Sequence, residues 1–301
     1  MFKEKPLVYI ILVNYNGVED TIECIKSLNK IKYDNYKIVI VDNNSNKKDV
    51  EILSKQSGFK LFTLEENIGF AGGNNVGIEF AMKNKADYVL LLNNDTVVEG
   101  DFLCKLVETV ESDKNIGAVG GKIFYFDNKE VLWYAGAKIN KFNGKTKHEG
   151  VDEVDSEKYS IQKETDYITG CMMLVSRDVL EKVGMMDDSY FLYYEETDWN
   201  VRIRHAGYKL IYNPESIIYH KISKSTKSLN YIMVCYYDRN SYYFIMNNFG
   251  IINRIYMFIY KRLNLLTKYI YYIIRGNKEK KKLVRLTYKM IRNKTMGRID
   301  F

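Results

Sequence analysis

Four short apolar runs near the start of the chain constrain its fold more than any other feature of the sequence. They cover residues 7–13, 37–41, 59–64 and 88–92. Runs of this length, bounded by polar residues, are typical of strands that are buried on both faces of a sheet. The segments between them place apolar residues at helical spacing, as Ile22, Ile25 and Leu28 do. Strands that alternate with helices predict βαβ units and a mainly parallel, Rossmann-like sheet flanked by helices.

Each of these four runs is followed by Asn, Asp or Gly, and the last run has the most informative ending. Asn93, Asn94 and Asp95 come directly after the apolar residues 88–92. Ligands of open α/β sheets bind outside the carboxyl ends of the strands, so four polar ends at one edge predict a crevice of nucleotide size. A carboxylate there can hold a divalent cation that carries phosphate oxygens. Taken alone, the segment would favour a solvated turn that caps the next helix.

A glycine-rich segment follows the third run, at residues 66–75. Gly69, Gly72, Gly73 and Gly77 match neither GxGxxG nor GxxxxGK[ST], which disfavours a dinucleotide or P-loop site of the usual kind. Glycines that open a helix still allow a ligand to approach the backbone, and helix N-termini favour phosphate. Tight packing of the helix on the sheet is the alternative, and the two can hold together.

The second half of the chain is less regular. Residues 117–126 predict a strand pair or one bent strand, and residues 168–175 and 208–212 predict further strands. The polar, weakly periodic residues 138–164 predict a mobile loop near the site, because long loops in compact domains are usually functional or disordered.

An acidic block at residues 189–207 is the second candidate site. Aromatic residues precede Glu195, Glu196 and Asp198, which open a helix that ends at Gly207. Acids are favoured at a helix start, but three of them after an aromatic cluster exceed what capping requires. A carboxylate that packs against aromatic rings can have a raised pKa and act as a general base. His220 follows this block, and structural and ligand roles are about equally open to it.

Composition limits the class of protein. Apolar residues make up 46% of the chain, so a globular fold is expected, and no apolar stretch is long enough to span a membrane. The four cysteines show no CxxC spacing, and no signal-peptide pattern opens the chain, which together favour a cytoplasmic location.

The charge is divided unevenly along the chain. Residues 251–301 carry a local charge of +12 and the rest of the chain sums to −5. Arg254, Lys261, Lys268 and Arg275 recur every seven residues, which predicts a basic stripe on an apolar helix. The interpretation favoured here is an interfacial helix on an anionic membrane surface at the inner face of the cell membrane. Packing on the rest of the chain or a homodimer is the alternative, and nucleic acid is disfavoured by the negative charge of residues 1–250 and the lack of a recognition motif.

Seven blocks in order resemble the bacterial family 2 glycosyltransferases with the GT-A fold, especially their rhamnosyltransferase-like branch. The resemblance covers about residues 7–245. The blocks are VNYNG (13–17), VDNNS (41–45), NIGFAGGNN (67–75), LLNND (91–95), TGCMMLVSR (169–177), YYEETDW (193–199) with R…AG (204–207), and YH (219–220). The resemblance implies a GT-A catalytic domain at residues 1–222, divided near residue 96 into a nucleotide-binding half and an acceptor half. A helical C-terminal extension at residues 223–301 would follow.

The resemblance also implies roles for individual residues. The nucleoside base would be faced by Val13, Tyr15, Asp42 and Asn43. The nucleotide pocket would be lined by Asn67 and by a turn formed by Gly72, Gly73 and Asn74. Asn93, Asn94 and Asp95 stand where the family has Asp-X-Asp, so Asp95, with Asn93 and His220, would hold Mg²⁺ or Mn²⁺ on the donor diphosphate. The sugar would lie near Gly170 and Cys171, and Glu196 stands where the family's general base usually is, with Glu195 and Asp198 beside it.

This sequence departs from the family pattern in three ways. Asn93 replaces the first Asp, Glu196 replaces the usual Asp, and the QxxRW signature of processive synthases is absent. The resemblance therefore implies an inverting, non-processive transfer of a sugar to a cell-surface glycan or a lipid-linked acceptor, with dTDP-rhamnose as the first donor and UDP- or GDP-sugars as alternatives. A sugar-phosphate nucleotidyltransferase lacks support because residues 16–20 carry no cations. A nucleotide-sugar-binding protein without catalysis remains open.

Overall fold

A computed structural model describes residues 5–221 and 230–299, and one large sheet organises the catalytic part. The strands are β1 Val8–Asn14, β2 Tyr36–Asp42, β3 Phe59–Thr63, β4 Tyr88–Leu92, β5 Thr96–Val98, β6 Ile116–Tyr125, β7 Leu132–Tyr134, β8 Ala137–Ile139, β9 Thr146–His148, β10 Lys163–Glu164, β11 Met172–Ser176 and β12 Lys209–His220. The helices are α1 Val18–Leu28, α2 Lys47–Ser54, α3 Gly69–Lys83, α4 Phe102–Ser112, α5 Arg177–Val183, α6 Glu195–His205, α7 Asn230–Asn248, α8 Ile251–Ile274 and α9 Lys278–Asn293.

The first four strands form the parallel half of the sheet, as predicted. β1 pairs in parallel with both β2 and β4, and β2 pairs in parallel with β3. The register sets Asn14 at the end of β1 beside Asp42 at the end of β2. The polar ends therefore meet at one edge, as the pattern of runs and endings requires.

The second half of the sheet brings distant residues to that edge. β11 is antiparallel to β4, and β12 runs parallel to β6. The end of β12 also pairs with the short strand β5, so His220 lies opposite Thr96, the residue after Asp95. This pairing unites the two sequence blocks that were expected to hold a metal ion.

Both faces of the sheet are covered. Alternate residues of β1 point to opposite sides, so Ile10 packs with α1 and α4 while Ile11 packs with α3. Burial on both faces explains why these strands read as unbroken apolar runs rather than as alternating patterns.

Two expectations for the second half need correction. Residues 138–164, expected to be a mobile loop, contain the β8–β9 hairpin, a 3₁₀ turn at Glu157–Tyr159 and strand β10. Of the two alternatives for residues 117–126, the single strand is found: they lie mainly within the ten-residue strand β6. β12 continues from Lys209 through Pro214 to His220. Its register shifts between Asn213 and Ile217, and such a bulge accommodates a proline that cannot donate to the ladder.

The C-terminal helices pack on one another, and α7 packs on the catalytic domain. The expected domain boundary near residue 222 lies outside the described residues. The expected basic stripe faces outward only in part: Arg254 and Arg275 are exposed, but Lys261 is buried, and its Nζ lies 3.1 Å from Asp238 Oδ1 on α7. Lys268 Nζ lies 2.6 Å from Asp238 Oδ2. Among the described residues, no helix has the length and apolar character needed to cross a membrane.

Candidate active site

A buried network of polar side chains joins the ends of β1, β2 and β4. Asn14 Nδ2 donates to Asp42 Oδ2 at 2.7 Å, and Asn14 Oδ1 accepts from Thr21 Oγ1 at 2.9 Å. Asn94 Nδ2 donates to the same Thr21 Oγ1 at 2.8 Å. Asn14 and Asp42 are fully buried, so these hydrogen bonds replace the water that both side chains lose on folding. The network fixes the shape of the crevice.

A second polar group connects β2 to the start of α3. Asn43 Nδ2 donates to Asn67 Oδ1 at 3.1 Å and to Gly69 O at 3.0 Å, and Asn43 Oδ1 accepts from Ile68 N at 3.0 Å. Asn43, expected to face the nucleoside base, therefore binds Asn67, expected to line the nucleotide pocket. Tyr15, in contrast, exposes 53% of its surface, which leaves its ring accessible for stacking on a base.

Gly72, Gly73 and Asn74 do not form the expected turn, because they lie inside α3. A Cβ on Gly73 would lie 3.0 Å from Val13 Cγ1, so the glycine lets the helix approach β1 closely. The first amides of α3 are also bonded within the protein: Gly69 N donates to Asn67 Oδ1, and Phe70 N donates to Phe191 O. These contacts support the packing explanation for the glycines.

Asp95 and His220 form a buried pair at the centre of the edge. His220 Nε2 lies 3.1 Å from Asp95 Oδ1. Among the described residues, His220 Nδ1 has no hydrogen-bond partner and no group of three acidic, histidine or cysteine side chains is close enough to hold a metal ion. One carboxylate, one imidazole and the neutral Asn93 fit a Mg²⁺ or Mn²⁺ ion that takes its remaining oxygen ligands from a diphosphate.

Glu196, at the start of α6, has the environment of a general base. Its Oε1 accepts a 2.9 Å hydrogen bond from the Tyr167 hydroxyl. Burial raises the pKa of Glu196, while the Tyr167 hydrogen bond opposes that rise. Burial, together with the neighbouring charge of Glu196, raises the pKa of Glu195 well above its usual value. The two adjacent carboxyl groups therefore resist carrying two negative charges at once.

Gly170 and Cys171 connect the two groups. A Cβ on Gly170 would lie 3.7 Å from Glu196 Cγ, and Cys171 O accepts a 3.0 Å hydrogen bond from Asn93 N. Burial raises the pKa of Cys171, and the charge of Asp95 adds to the effect. Two consecutive residues thus contact the acidic block on one side and the Asn93–Asp95 segment on the other.

Asp198 does not share the setting of Glu196. Its Oδ2 lies 2.7 Å from Arg202 Nε, and its Oδ1 accepts from Asn248 Nδ2 at 2.6 Å and from the Tyr190 hydroxyl at 3.3 Å. A carboxylate with three such partners ties α6 to α7. These contacts indicate a structural role for Asp198 instead of the expected catalytic one.

An aromatic cluster, Trp133–His148–Tyr167, was missed in the sequence. The Trp133 ring lies 4.7 Å from the ring of His220 and 5.0 Å from that of His148. His148 stacks on Tyr167 at 5.8 Å, and Tyr167 binds Glu196. The cluster therefore links the candidate metal ligand to the candidate base. Tyr167 stands two residues before the TGCMM block, which was the one available signal.

The turn that precedes Glu195 is strained. Phe191, Tyr193 and Tyr194 have φ of 65°, 65° and 80°, a region that costs bulky residues of order 1 kcal/mol or more each. The buried Asn240 of α7 holds this turn, because its Nδ2 lies 3.1, 2.9 and 2.8 Å from the carbonyl oxygens of Tyr190, Leu192 and Tyr193. Strained backbone that is held in this way is typical of functional sites.

Arg239, the residue before Asn240 on α7, supports the same turn. Its guanidinium is fully buried and donates to Tyr190 O at 3.2 Å, to Gly297 O at 2.8 Å and to Asn240 Oδ1 at 2.8 Å. The C-terminal extension is therefore part of the structure that positions Glu196.

Comparison with known proteins identifies the family. A family model described as Glycosyl transferase family 2 matches residues 9–184, more than half of the chain. The chain belongs to glycosyl transferase family 2. The matched residues include nearly all of β1, the strands β2–β4, the Asn93–Asp95 segment and β11, and they end before Glu196 and His220.

Two bacterial relatives of this family 2 protein carry related names. The dTDP-rhamnosyl transferase RfbF of Shigella flexneri is 25% identical over 248 residues, which cover 82% of this chain and 80% of the relative. The rhamnosyltransferase WbbL of Escherichia coli (strain K12) is 28% identical over 218 residues, which cover 69% of this chain and 81% of the relative. The resemblance to the rhamnosyltransferase-like branch is thereby confirmed.

The fold is confirmed by a solved structure. The mannosyltransferase PcManGT from Pyrobaculum calidifontis, in complex with GDP-Man and Mn²⁺, superposes with a TM-score of 0.58 at 13% identity. The match covers 96% of this chain and 88% of that one. This family 2 protein therefore has the GT-A fold and is a glycosyltransferase that uses a nucleotide-sugar donor.

Proposed function

We propose that this family 2 glycosyltransferase is an inverting, metal-dependent enzyme that transfers single sugars to a cell-surface glycan or a lipid-linked acceptor. The donor favoured most is dTDP-rhamnose: the name of RfbF supports this donor, and the name of WbbL supports the sugar. The observation that carries the proposal is the arrangement of the buried base candidate Glu196 and the Asp95–His220 pair around Gly170 and Cys171. UDP- and GDP-sugars are the alternative donors.

The proposed reaction needs one proton acceptor. The acceptor hydroxyl oxygen attacks the anomeric carbon as its proton passes to a Glu196 carboxylate oxygen, and the bond from that carbon to the diphosphate breaks. Tyr167 holds the Glu196 carboxylate in place through its hydrogen bond. Asp95, His220 and Asn93 would hold Mg²⁺ or Mn²⁺, which when bound offsets the charge that develops on the leaving diphosphate.

A thermal-shift series tests the donor and the metal together. With Mn²⁺ present, a saturating nucleotide sugar at about a hundred times its Kd should stabilise the fold by about 2.7 kcal/mol. Asp95→Asn should lose the Mn²⁺-dependent part of this stabilisation. Asp34→Asn, an exposed change beside Lys5, is the matched control and should respond as wild type. We expect dTDP-rhamnose to give the largest shift, with release of dTDP over time; a shift without any release would indicate a binding protein.

The Tyr167–Glu196 hydrogen bond predicts a change in pH dependence. Transfer should fall as pH falls through the raised pKa of Glu196, because the base must be deprotonated. The hydroxyl of Tyr167 favours the charged carboxylate, so Tyr167→Phe should raise that pKa further and move the acid limb of kcat/KM to higher pH. Tyr88→Phe removes a comparable bond to Glu111 at the other end of β4 and should leave the limb unmoved. A limb that stays in place in Tyr167→Phe would contradict the assignment of Glu196.

A further inference from the structure

One helix carries most of the exposed apolar side chains of the described residues. Twelve of the twenty large apolar side chains that are exposed lie on α8. Seven of them recur at intervals of three or four residues, expose 47% or more of their surface and define the α8 stripe: Ile252, Ile255, Ile259, Leu263, Leu266, Ile270 and Ile274. This spacing places all seven on one side of the helix. A contiguous apolar surface of this kind marks an interaction site.

The opposite side of α8 is fixed to the protein. Met257 and Leu265 are buried, and Lys261 and Lys268 both bind Asp238 of α7. Rotating the helix to hide the α8 stripe would expose Met257 and Leu265 and break these ion pairs. The stripe therefore faces outward as part of the packed structure.

A groove of about 880 Å³ lies between α8 and α9. Its apolar lining comes from Leu265, Leu266, Tyr269, Val284, Leu286 and Tyr288, and its six cations are Arg262, Lys278, Lys281, Lys282, Arg285 and Lys289. No carboxylate lines it, and within the described ranges none of these six cations forms a salt bridge. The groove thus combines an apolar floor with an uncompensated positive rim beside the α8 stripe, with which it shares Leu266.

We propose that the α8 stripe and the α8–α9 groove dock on a membrane surface that contains anionic phospholipid. The stripe enters the boundary between headgroups and acyl chains, and the cations bind headgroup phosphates. Charge decides between the occupants. An interface between two copies of this face, related by a two-fold axis, would bring cations toward cations, whereas phospholipid supplies both the apolar phase and the negative charge. This docking does not depend on the proposed sugar transfer.

Sedimentation with vesicles tests the proposal without any enzymatic turnover. Wild type should bind phosphatidylcholine vesicles that contain about 30 mol% phosphatidylglycerol at least about tenfold more tightly than phosphatidylcholine alone. Lys282→Glu with Arg285→Glu should weaken that binding at least about thirtyfold, since each surface cation contributes about fivefold. Lys30→Glu with Lys114→Glu changes the net charge equally on the catalytic body and should bind as wild type.

A second variant tests the contribution of the α8 stripe to vesicle binding. Ile255→Ser with Ile259→Ser should lose vesicle binding while thermal unfolding stays close to wild type, because both side chains are more than half exposed. Equal binding to the two kinds of vesicle, or equal binding by the Lys282/Arg285 variant and its control, would overturn the proposal. A dimeric mass in solution that the isoleucine changes convert to a monomer, without vesicle binding, would assign the face to a second copy instead.

Discussion

Glu196→Gln should reduce sugar transfer by about a thousandfold, since general bases contribute about 10² to 10⁴ in rate. The amide keeps the size of the side chain and can still accept the hydrogen bond from Tyr167, but it cannot take the proton of the acceptor hydroxyl. The donor does not need that proton acceptor to bind, so its Kd should stay within about threefold of wild type. The measurements are steady-state transfer and calorimetric donor binding in the presence of Mn²⁺.

Two further glutamate variants isolate this effect. Glu66→Gln changes an exposed acid on the segment that follows β3 and should leave transfer unchanged. Glu195→Gln replaces a carboxyl group that stays protonated while Glu196 ionises, because the charge of Glu196 is one cause of the raised pKa of Glu195, so the acid limb should stay in place with a much smaller loss of rate. If Glu195→Gln instead abolished transfer and Glu196→Gln did not, the base would be Glu195.

The parallel half of the fold and its crevice could be predicted because their signals are local. Each of the four apolar runs is buried on both faces, and each polar ending lies within a few residues of its strand. The pairing of β1 with β2 then follows from the βαβ rule, and the Asn14–Asp42 contact follows from the pairing. Asp95 and His220 are distant in sequence, and they were united only by the ordered blocks of the family resemblance.

The aromatic cluster and the C-terminal contacts could not be predicted in the same way. β7, β8 and β9 have three residues each, which is too short to show the alternation of apolar and polar residues that identifies a strand. His148 gains its partners only when the hairpin folds over Tyr167. The cations of α8 do recur every seven residues, but the sequence could not show that Lys261 and Lys268 bind Asp238 of another helix. A periodic pattern tells which residues share a face and does not tell what that face meets.

The strained turn before Glu195 shows why the C-terminal extension matters to the site. Phe191, Tyr193 and Tyr194 have positive φ without being glycine, so the turn persists only if other contacts hold it. α6 begins directly after Tyr194, and the position of Glu196 depends on the direction in which the helix starts. Asn240 and Arg239 supply the contacts from α7. We therefore expect the extension to act on catalysis by positioning Glu196.

Asn240→Ala should lower both stability and turnover. The change leaves the carbonyl oxygens of Leu192 and Tyr193 and the Nε of Arg239 without the partner they have in wild type, which should cost about 2–4 kcal/mol in the free energy of unfolding. At temperatures where the variant is still folded, kcat should fall by up to about a hundredfold, the loss expected from a misplacement of about 1 Å at a catalytic group. KM for the nucleotide sugar should change little, because the crevice network of Asn14 and Asp42 is untouched.

Asn247→Ala is the matched control, since it makes the same chemical change at an exposed position of the same helix. Its stability and turnover should equal those of wild type. An Asn240→Ala variant that unfolds earlier yet keeps wild-type kcat well below its unfolding temperature would show that the contact only stabilises the extension. A fall in kcat with an unchanged KM would instead tie the buried amide of α7 to the placement of Glu196, because a merely loosened extension has no means of slowing the chemical step alone.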